Sequence, residues 1–308
     1  MRVLYFNNCW FTNVGEAFID IGGMTLTKKI FGQDCAMACL SAMTNYYVTN
    51  APSNRRFFQK DISPVPVNFK ISDYINADYV IIPGMVGTRE YLNAPSCRMV
   101  DRLVEKGCRP VFLGLGGIEY NQEEIEAMKV YFDHIKPALI TSRDDLVYDA
   151  YKDVAPCVKG VDCAFWSVDS FDPRGFKDCD YDVVTFNRIE EPEMFNDFQD
   201  VVRPWHMQYQ YRKGDGDKTI MLSDTPYDYL TLYANARRVY TDLVHATIVS
   251  LMYGTPVKYW ENGTRFKCFY ALKDLQNDDD FLSVSEESLN QQKKQIIQEA
   301  RQIIKEVR

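Results

Sequence analysis

Four short segments carry side chains whose type and placement suit ligand chemistry, and each follows an apolar run that reads as a strand. The first is Asn13-Val14-Gly15-Glu16, opening a helical stretch. A glycine there lets backbone amides approach a ligand, and a helix N-terminus favours anions. The same residues equally suit a plain capped start, with Asn13 as the cap and Glu16 at the third helical position. The second is Gly114-Leu115-Gly116-Gly117-Ile118. It lacks the third glycine and the spaced acid of a dinucleotide fingerprint, and a tight turn beside a cleft is its plainer reading. The third is Thr141-Ser142-Arg143-Asp144-Asp145. Asp144 reads as a helix N-cap, and Arg143 is placed to reach a carboxylate or phosphate, or to pair with Asp144 or Asp162. The fourth runs from Arg238 to Val257 and holds His245. A strand ends at Thr241-Asp242, a helix starts at once, Gly254 ends it, and Pro256 opens the next strand. A histidine in such a first turn points to the cleft as a neutral imidazole able to move protons, or packs under the sheet.

The elements that position these segments follow from length and pattern. The 308 residues suit two domains rather than one. Short apolar runs alternate with helix-period stretches, which argues for parallel sheets built from βαβ units. Strands are expected at 2–7, 78–83, 110–115, 138–142 and 157–162, with helices near 15–31, 35–47, 96–106, 122–134 and 144–153. After a polar stretch at 167–181 the alternation restarts. Strands are expected there at 182–187, 219–223, 238–241 and 256–260, with helices near 190–202, 226–236, 243–253 and 265–275. The end, 285–308, reads as one long helix with Ser283 and Glu286 as its capping box. Its apolar stripe (Leu289, Ile296, Ala300, Ile303, Ile304, Val307) needs a surface to dock on, and crossing back to the first domain supplies one. The expected architecture is α/β: a first domain over 1–170, a second over 181–284, both doubly wound, and the terminal helix. Such sheets bind ligands at the carboxyl ends of their strands, which places a site between the domains.

Composition removes several function classes. Lys plus Arg is 35 against 43 Asp plus Glu, a net of −8 with no basic run, so nucleic acid is not an expected partner. No apolar stretch is long enough to span a bilayer, and the N-terminus reads as a strand, not a signal peptide. Nine cysteines with no C-x-x-C fit reduced thiols in a cytoplasmic protein. With three histidines, none beside a cysteine pair, no metal site is expected.

In this order the segments resemble the polysaccharide pyruvyl transferase family. Its members typically show N-x-G-D, a strand ending in a glycine cluster, S-x-R-D, a D-P-A-F-like segment, and T-x-R-x-H-A followed by G-x-P. The counterparts here are Asn13 to Glu16, Gly114 to Gly117, Ser142-Arg143-Asp144, Asp162-Cys163-Ala164-Phe165, and Thr241 to Ala246 with Gly254-Thr255-Pro256. The resemblance covers roughly residues 1–275, and Glu16 and Leu243 depart from it, standing where the pattern has Asp and Arg. It implies two Rossmann-like domains facing across a cleft in a GT-B-like arrangement. It also implies transfer of pyruvate from phosphoenolpyruvate to two hydroxyls of a cell-surface or exopolysaccharide sugar, without a cofactor. That chemistry needs an acid–base group and a cationic clamp. On that reading His245 and Arg143 are the catalytic candidates, and Asn13, Gly15, Glu16, Gly116, Gly117, Arg188 and Lys267 the donor- and substrate-binding ones, Arg188 because it directly follows the strand 182–187 and Lys267 because the family often carries a lysine in that loop. Two other readings keep the fold. One is a glycosyltransferase that uses a nucleotide-sugar donor, and the other is a non-catalytic glycan-binding member in which Leu243 marks a decayed site. The aromatic stretch Trp205 to Tyr211 suits a sugar platform or a packed interdomain loop.

Overall fold

A computed structural model describes residues 1–8, 13–41, 71–207 and 220–307. Among these, the strands form two separate sheets. The first contains β1 (Arg2–Asn7), β2 (Ala36–Ser41), β3 (Tyr79–Pro83), β4 (Arg109–Leu115), β5 (Leu139–Ser142) and β6 (Cys157–Lys159), in the order β2-β1-β3-β4-β5-β6. Every pairing in it is parallel. Continuous apolar runs such as Tyr79–Pro83, buried throughout, are what a sheet covered on both faces demands. The covering helices are α1 (Val14–Phe31), α2 (Arg89–Leu92), α3 (Pro95–Glu105), α4 (Gln122–Ile135) and α5 (Asp145–Tyr151).

The second sheet has β7 (Asp182–Thr185), β8 (Val201–Pro204), β9 (Ile220–Met221), β10 (Arg238–Thr241), β11 (Val257–Tyr259), β12 (Leu275–Asp278) and β13 (Phe281–Val284). Its order is β12-β13-β11-β10-β7-β8-β9, parallel except at the β12–β13 hairpin and its junction with β11. Helices α6 (Pro226–Asn235) and α7 (Val244–Tyr253) belong to this half. Each sheet reverses its winding once, between β1 and β3 in the first and between β7 and β10 in the second. These two switch points are where open α/β sheets leave a crevice for ligands.

The final helix, α8 (Glu286–Glu306), starts beside the second sheet and packs on α1, β5 and β6 of the first. Leu289, Ile296, Ala300 and Ile304 are its buried stripe, and the Arg301 side chain donates to the Lys29 carbonyl at 2.7 Å. No helix of the described residues is long and apolar enough to cross a membrane. Lys293 is the one cation of that stripe: it is buried against Trp166 and pairs with Asp169, which also pairs with Lys29 at 3.2 Å. Asp169→Ala is therefore expected to cost about 3 kcal/mol in denaturant unfolding, because it strands a buried ammonium. Lys293→Met, which leaves Asp169 paired with Lys29, is expected to cost little.

Four elements differ from expectation. Residues 36–41 are an edge strand, not a helix; Ala and Met favour helix locally, but the segment pairs with β1 over its whole length, from Arg2↔Ala36 to Asn7↔Ser41. The rest of that expected helix lies outside the described residues. The acidic stretch near 190–202 holds only a 3₁₀ turn, Glu193–Phe195, before β8. Pro192 interrupts a helix there, and Phe195 is fully buried against Phe186, Phe198, Tyr240 and Trp260. The expected helix near 265–275 is a 3₁₀ helix over Arg265–Ala271, and the β12–β13 hairpin after it is not among the expected elements; its two-residue turn, Asp279-Asp280, has positive φ at both positions without a glycine to announce it. The cap of α8 is Ser285, which accepts from the Ser288 amide at 3.4 Å, not Ser283.

Candidate active site

His245 is positioned by two helix starts. It stands in the first turn of α7, which follows β10 directly. Asp242, between them, accepts hydrogen bonds from the backbone amides of Asn187, Arg188 and Ile189 at 3.1, 2.8 and 2.8 Å, so it lashes the end of β7 to the end of β10. Leu243 holds the N-cap position without a side-chain cap, and its isobutyl group is buried in the core. The first turn of α7 thus begins without a side-chain cap from Leu243, whose own amide donates to the Thr241 hydroxyl at 2.9 Å. On its other side the imidazole lies against the start of α1: a Cβ added at Gly15 would come within 2.2 Å of His245 Nδ1. Glycine is required there because the ring fills the space a side chain would take. Burial pushes the His245 pKa down to about 4, with Asp162 opposing and Arg143, Arg265 and Arg188 adding to the shift. Among the described residues its Nε2 is sealed from solvent and has no hydrogen-bond partner.

Three arginines surround this histidine. Arg143 leaves the end of β5, is buried, and donates to Asp162 at 2.9 Å. It rests on Gly116, where an added Cβ would fall 2.2 Å from its Nε. Arg188 follows β7, and Arg265 comes from the loop after β11. Burial first, then Arg143 and Arg188, disfavour the charge of Arg265, while Glu16 supports it. Two cavities meet here. One, of about 470 Å³, lies at the second sheet's switch point and is walled by Arg188, Asp242 and Leu243. The other, of about 220 Å³, lies at the first sheet's switch point and is walled by Asn8, Glu16, Pro83 and Gly84. Asn13, Arg143, His245 and Arg265 border both. The histidine is thus part of the wall common to two chambers, the larger with Arg143, Arg188 and Arg265 against Glu119 and Asp242, the smaller with Arg143 and Arg265 against Glu16.

The residues singled out in the sequence divide accordingly. His245, Arg143, Asn13, Glu16 and Arg188 line the chambers, and Gly15 and Gly116 form the seats of His245 and Arg143. Asn13 also caps α1, accepting from the Gly15 amide at 3.0 Å. Gly117 faces elsewhere: an added Cβ would meet the Tyr120 ring at 2.6 Å. Lys267 is not on either wall; its ammonium lies 4.8 Å over that same ring, so the side chain expected to clamp the donor packs on an aromatic face instead. In the aromatic stretch, residues 208–211 lie outside the described residues.

Two residues on the walls were not anticipated. Arg265 was hidden two positions before the lysine that the family pattern favours. His206 is buried on the larger wall, with Nε2 2.6 Å from the Tyr233 hydroxyl, and its carbonyl accepts from the Val14 amide at 3.0 Å. Only its place in an aromatic run marked it. Burial, then His245, lowers its pKa to about 3. Both histidines are neutral in the fold but protonate near pH 6.5 when unfolded. The unfolded chain therefore binds more protons below pH 6.5, and stability falls with acidification until the folded pKa values are passed. We expect the melting temperature to drop between pH 6.5 and about 4, with a shallower slope in His206→Phe. Each histidine contributes up to about 1.4 kcal/mol per pH unit.

The family model for polysaccharide pyruvyl transferase matches residues 27–257. No curated protein sequence matches the chain. Among solved structures, a putative UDP-N-acetylglucosamine 2-epimerase from Listeria monocytogenes superposes with a TM-score of 0.56 at 11% identity, covering 99% of this chain and 90% of that one. The UDP-GlcNAc 2-epimerase of Methanocaldococcus jannaschii, in complex with UDP-GlcNAc and UDP, gives 0.56 at 10% identity over 99% of both chains. That of Rickettsia bellii gives 0.53 at 13%, covering 100% and 95%. At these identities the likeness is one of fold: two Rossmann-like domains in the GT-B-like arrangement.

Proposed function

Because the chain belongs to the polysaccharide pyruvyl transferase family, we propose that it moves a pyruvyl group from phosphoenolpyruvate to two hydroxyls of a saccharide. The observation that carries this reading is the uncapped start of α7 facing Arg143, Arg188 and Arg265 around a neutral His245. Uncapped helix amides and guanidinium groups together suit a small, highly charged donor bearing both phosphate and carboxylate. In this proposal the donor's anions occupy the larger chamber, contributed chiefly by residues 181–284, and the sugar occupies the smaller, contributed chiefly by residues 1–170. The helix at 285–308 straps the two halves together.

The reaction balances without an added acid or base. The terminal CH₂ of the enol takes up a proton and becomes a methyl group, and one sugar hydroxyl bonds to the electron-poor central carbon and gives up its own proton, which replaces the one delivered. The C–O bond to phosphate then breaks, and the second hydroxyl closes the ketal. That second proton ends on the departing phosphate. His245, neutral at pH 7, is suited to accept a hydroxyl proton and return it to carbon. The guanidinium groups stabilise the leaving phosphate. Calorimetric titration separates this from the nucleotide-sugar reading. We expect binding of phosphoenolpyruvate and none of UDP-N-acetylglucosamine; the reverse result would replace the pyruvyl reading with that of a glycosyltransferase.

A further inference from the structure

Gly117 and Lys267, both expected at the site, line neither chamber, but one ring joins them. The Tyr120 ring rests on Gly117, and the Lys267 ammonium lies 4.8 Å from its centroid. The Tyr120 hydroxyl donates to Asp144 Oδ2 at 2.9 Å, and the other oxygen of Asp144 caps α5, so the ring is fixed at its far end as well. Its backbone has φ 56°, a left-handed conformation that bulky residues rarely take. Tyr120 belongs to the loop after β4 of the first sheet, and Lys267 to the 3₁₀ helix Arg265–Ala271 after β11 of the second. A second contact joins the same two segments. Thr264 holds the N-cap position of that 3₁₀ helix, yet its hydroxyl makes no cap there and donates instead to the Ile118 carbonyl. Ile118 and Thr264 both wall the larger chamber.

We propose that Tyr120 and Lys267 are positioning residues: they clasp the two segments together and so hold Arg265 on the chamber walls beside Arg143 and Arg188. The proposal rests on the pyruvyl-donor reading above and adds what keeps one of the donor's cations in place. Arg265 needs such support, because burial and the other two arginines disfavour its charge while Glu16 favours it. Its chain neighbours supply the support. Thr264 precedes it, Lys267 follows two positions later, and the Lys267 amide donates to the Thr264 carbonyl at 3.2 Å. One turn therefore carries Arg265 between two anchors, and both anchors attach to the loop of the other sheet. A cation–π contact and a neutral hydrogen bond are each modest. The clasp thus sets where the arginine stands without adding much to global stability.

The test is calorimetric titration of the full chain with phosphoenolpyruvate, paired with hydrogen exchange of the protein alone. We expect Lys267→Met to weaken binding about threefold, the size that loss of a partly exposed cation–π contact allows, with the melting temperature nearly unchanged. Lys267→Arg, which keeps a cation for the ring, should bind as the wild type does. In an Arg265→Ala background Lys267→Met should leave affinity unchanged, because the side chain it positions is gone. Exchange of the amides at 116–120 should quicken in Lys267→Met, although the substitution lies in the other segment. An affinity that Lys267→Met leaves unchanged, an equal loss in both backgrounds, or unaltered exchange at 116–120 overturns the proposal. A wild type that binds no phosphoenolpyruvate but shows the coupled exchange upholds the clasp and rejects the pyruvyl donor instead.

Discussion

His245→Ala is expected to lower turnover by about two to four orders of magnitude, the range for loss of a positioned acid–base group, with the melting temperature nearly unchanged. The chemistry needs one group that takes a proton from a hydroxyl and delivers it to carbon. Burial holds the His245 pKa at about 4, so the ring is neutral at pH 7, and among the described residues its Nε2 has no partner to give up. The alanine therefore breaks no hydrogen bond at Nε2 among the described residues. Gly15→Ala is the sharper companion. Alanine suits a helix better than glycine by roughly 0.5–1 kcal/mol, so the fold has no backbone reason to weaken. Yet the new methyl would stand 2.2 Å from Nδ1, and the imidazole must move. A displacement on the order of 1 Å costs about a hundredfold in rate. Wild-type turnover in Gly15→Ala would show that the ring's seat against α1 is not the reactive one. Wild-type turnover in His245→Ala would remove the histidine from the chemistry altogether.

The sequence made those two residues legible for different reasons. His245 stood out because a strand end, a helix start and a C-terminal glycine bracketed it, all of them local signals. Gly15 was noticed as a helix-start glycine, but its partner lies 230 residues later in the chain and no local pattern links them. The parallel core strands were readable because burial on both faces leaves unbroken apolar runs. The edge strand 36–41 was not, since its burial is slight and its stability comes from pairing with β1. The β12–β13 hairpin hid behind a turn of two aspartates in the left-handed region, which ordinarily call for glycine or asparagine. Lys267 and Arg265 make the same point within the site. Both are cations of one loop, and only packing decides that the lysine covers Tyr120 while the arginine faces the chambers.

Arg265→Ala is expected to weaken phosphoenolpyruvate binding about 10- to 100-fold, as loss of a charge-assisted contact does, and to raise rather than lower stability, since burial and two neighbouring arginines oppose its charge. The motif arginine that the family pattern places two residues before the histidine is Leu243 here, and Leu243 is 7% exposed within the main core. An arginine there must either be buried or swing toward a wall that already holds three guanidinium groups. Leu243→Arg alone should therefore lower the melting temperature without tightening donor binding. In an Arg265→Ala background the balance differs. One cation has left, repulsion is relieved, and the new guanidinium has a vacancy to fill. We expect Leu243→Arg to restore part of the lost affinity there and only there. That non-additivity, read in a double-mutant cycle, would show that the donor's cation has moved from the start of α7 to the loop after β11. Affinity unchanged by Arg265→Ala would assign the clamp to Arg143 and Arg188. An equal effect of Leu243→Arg in both backgrounds would separate the two positions.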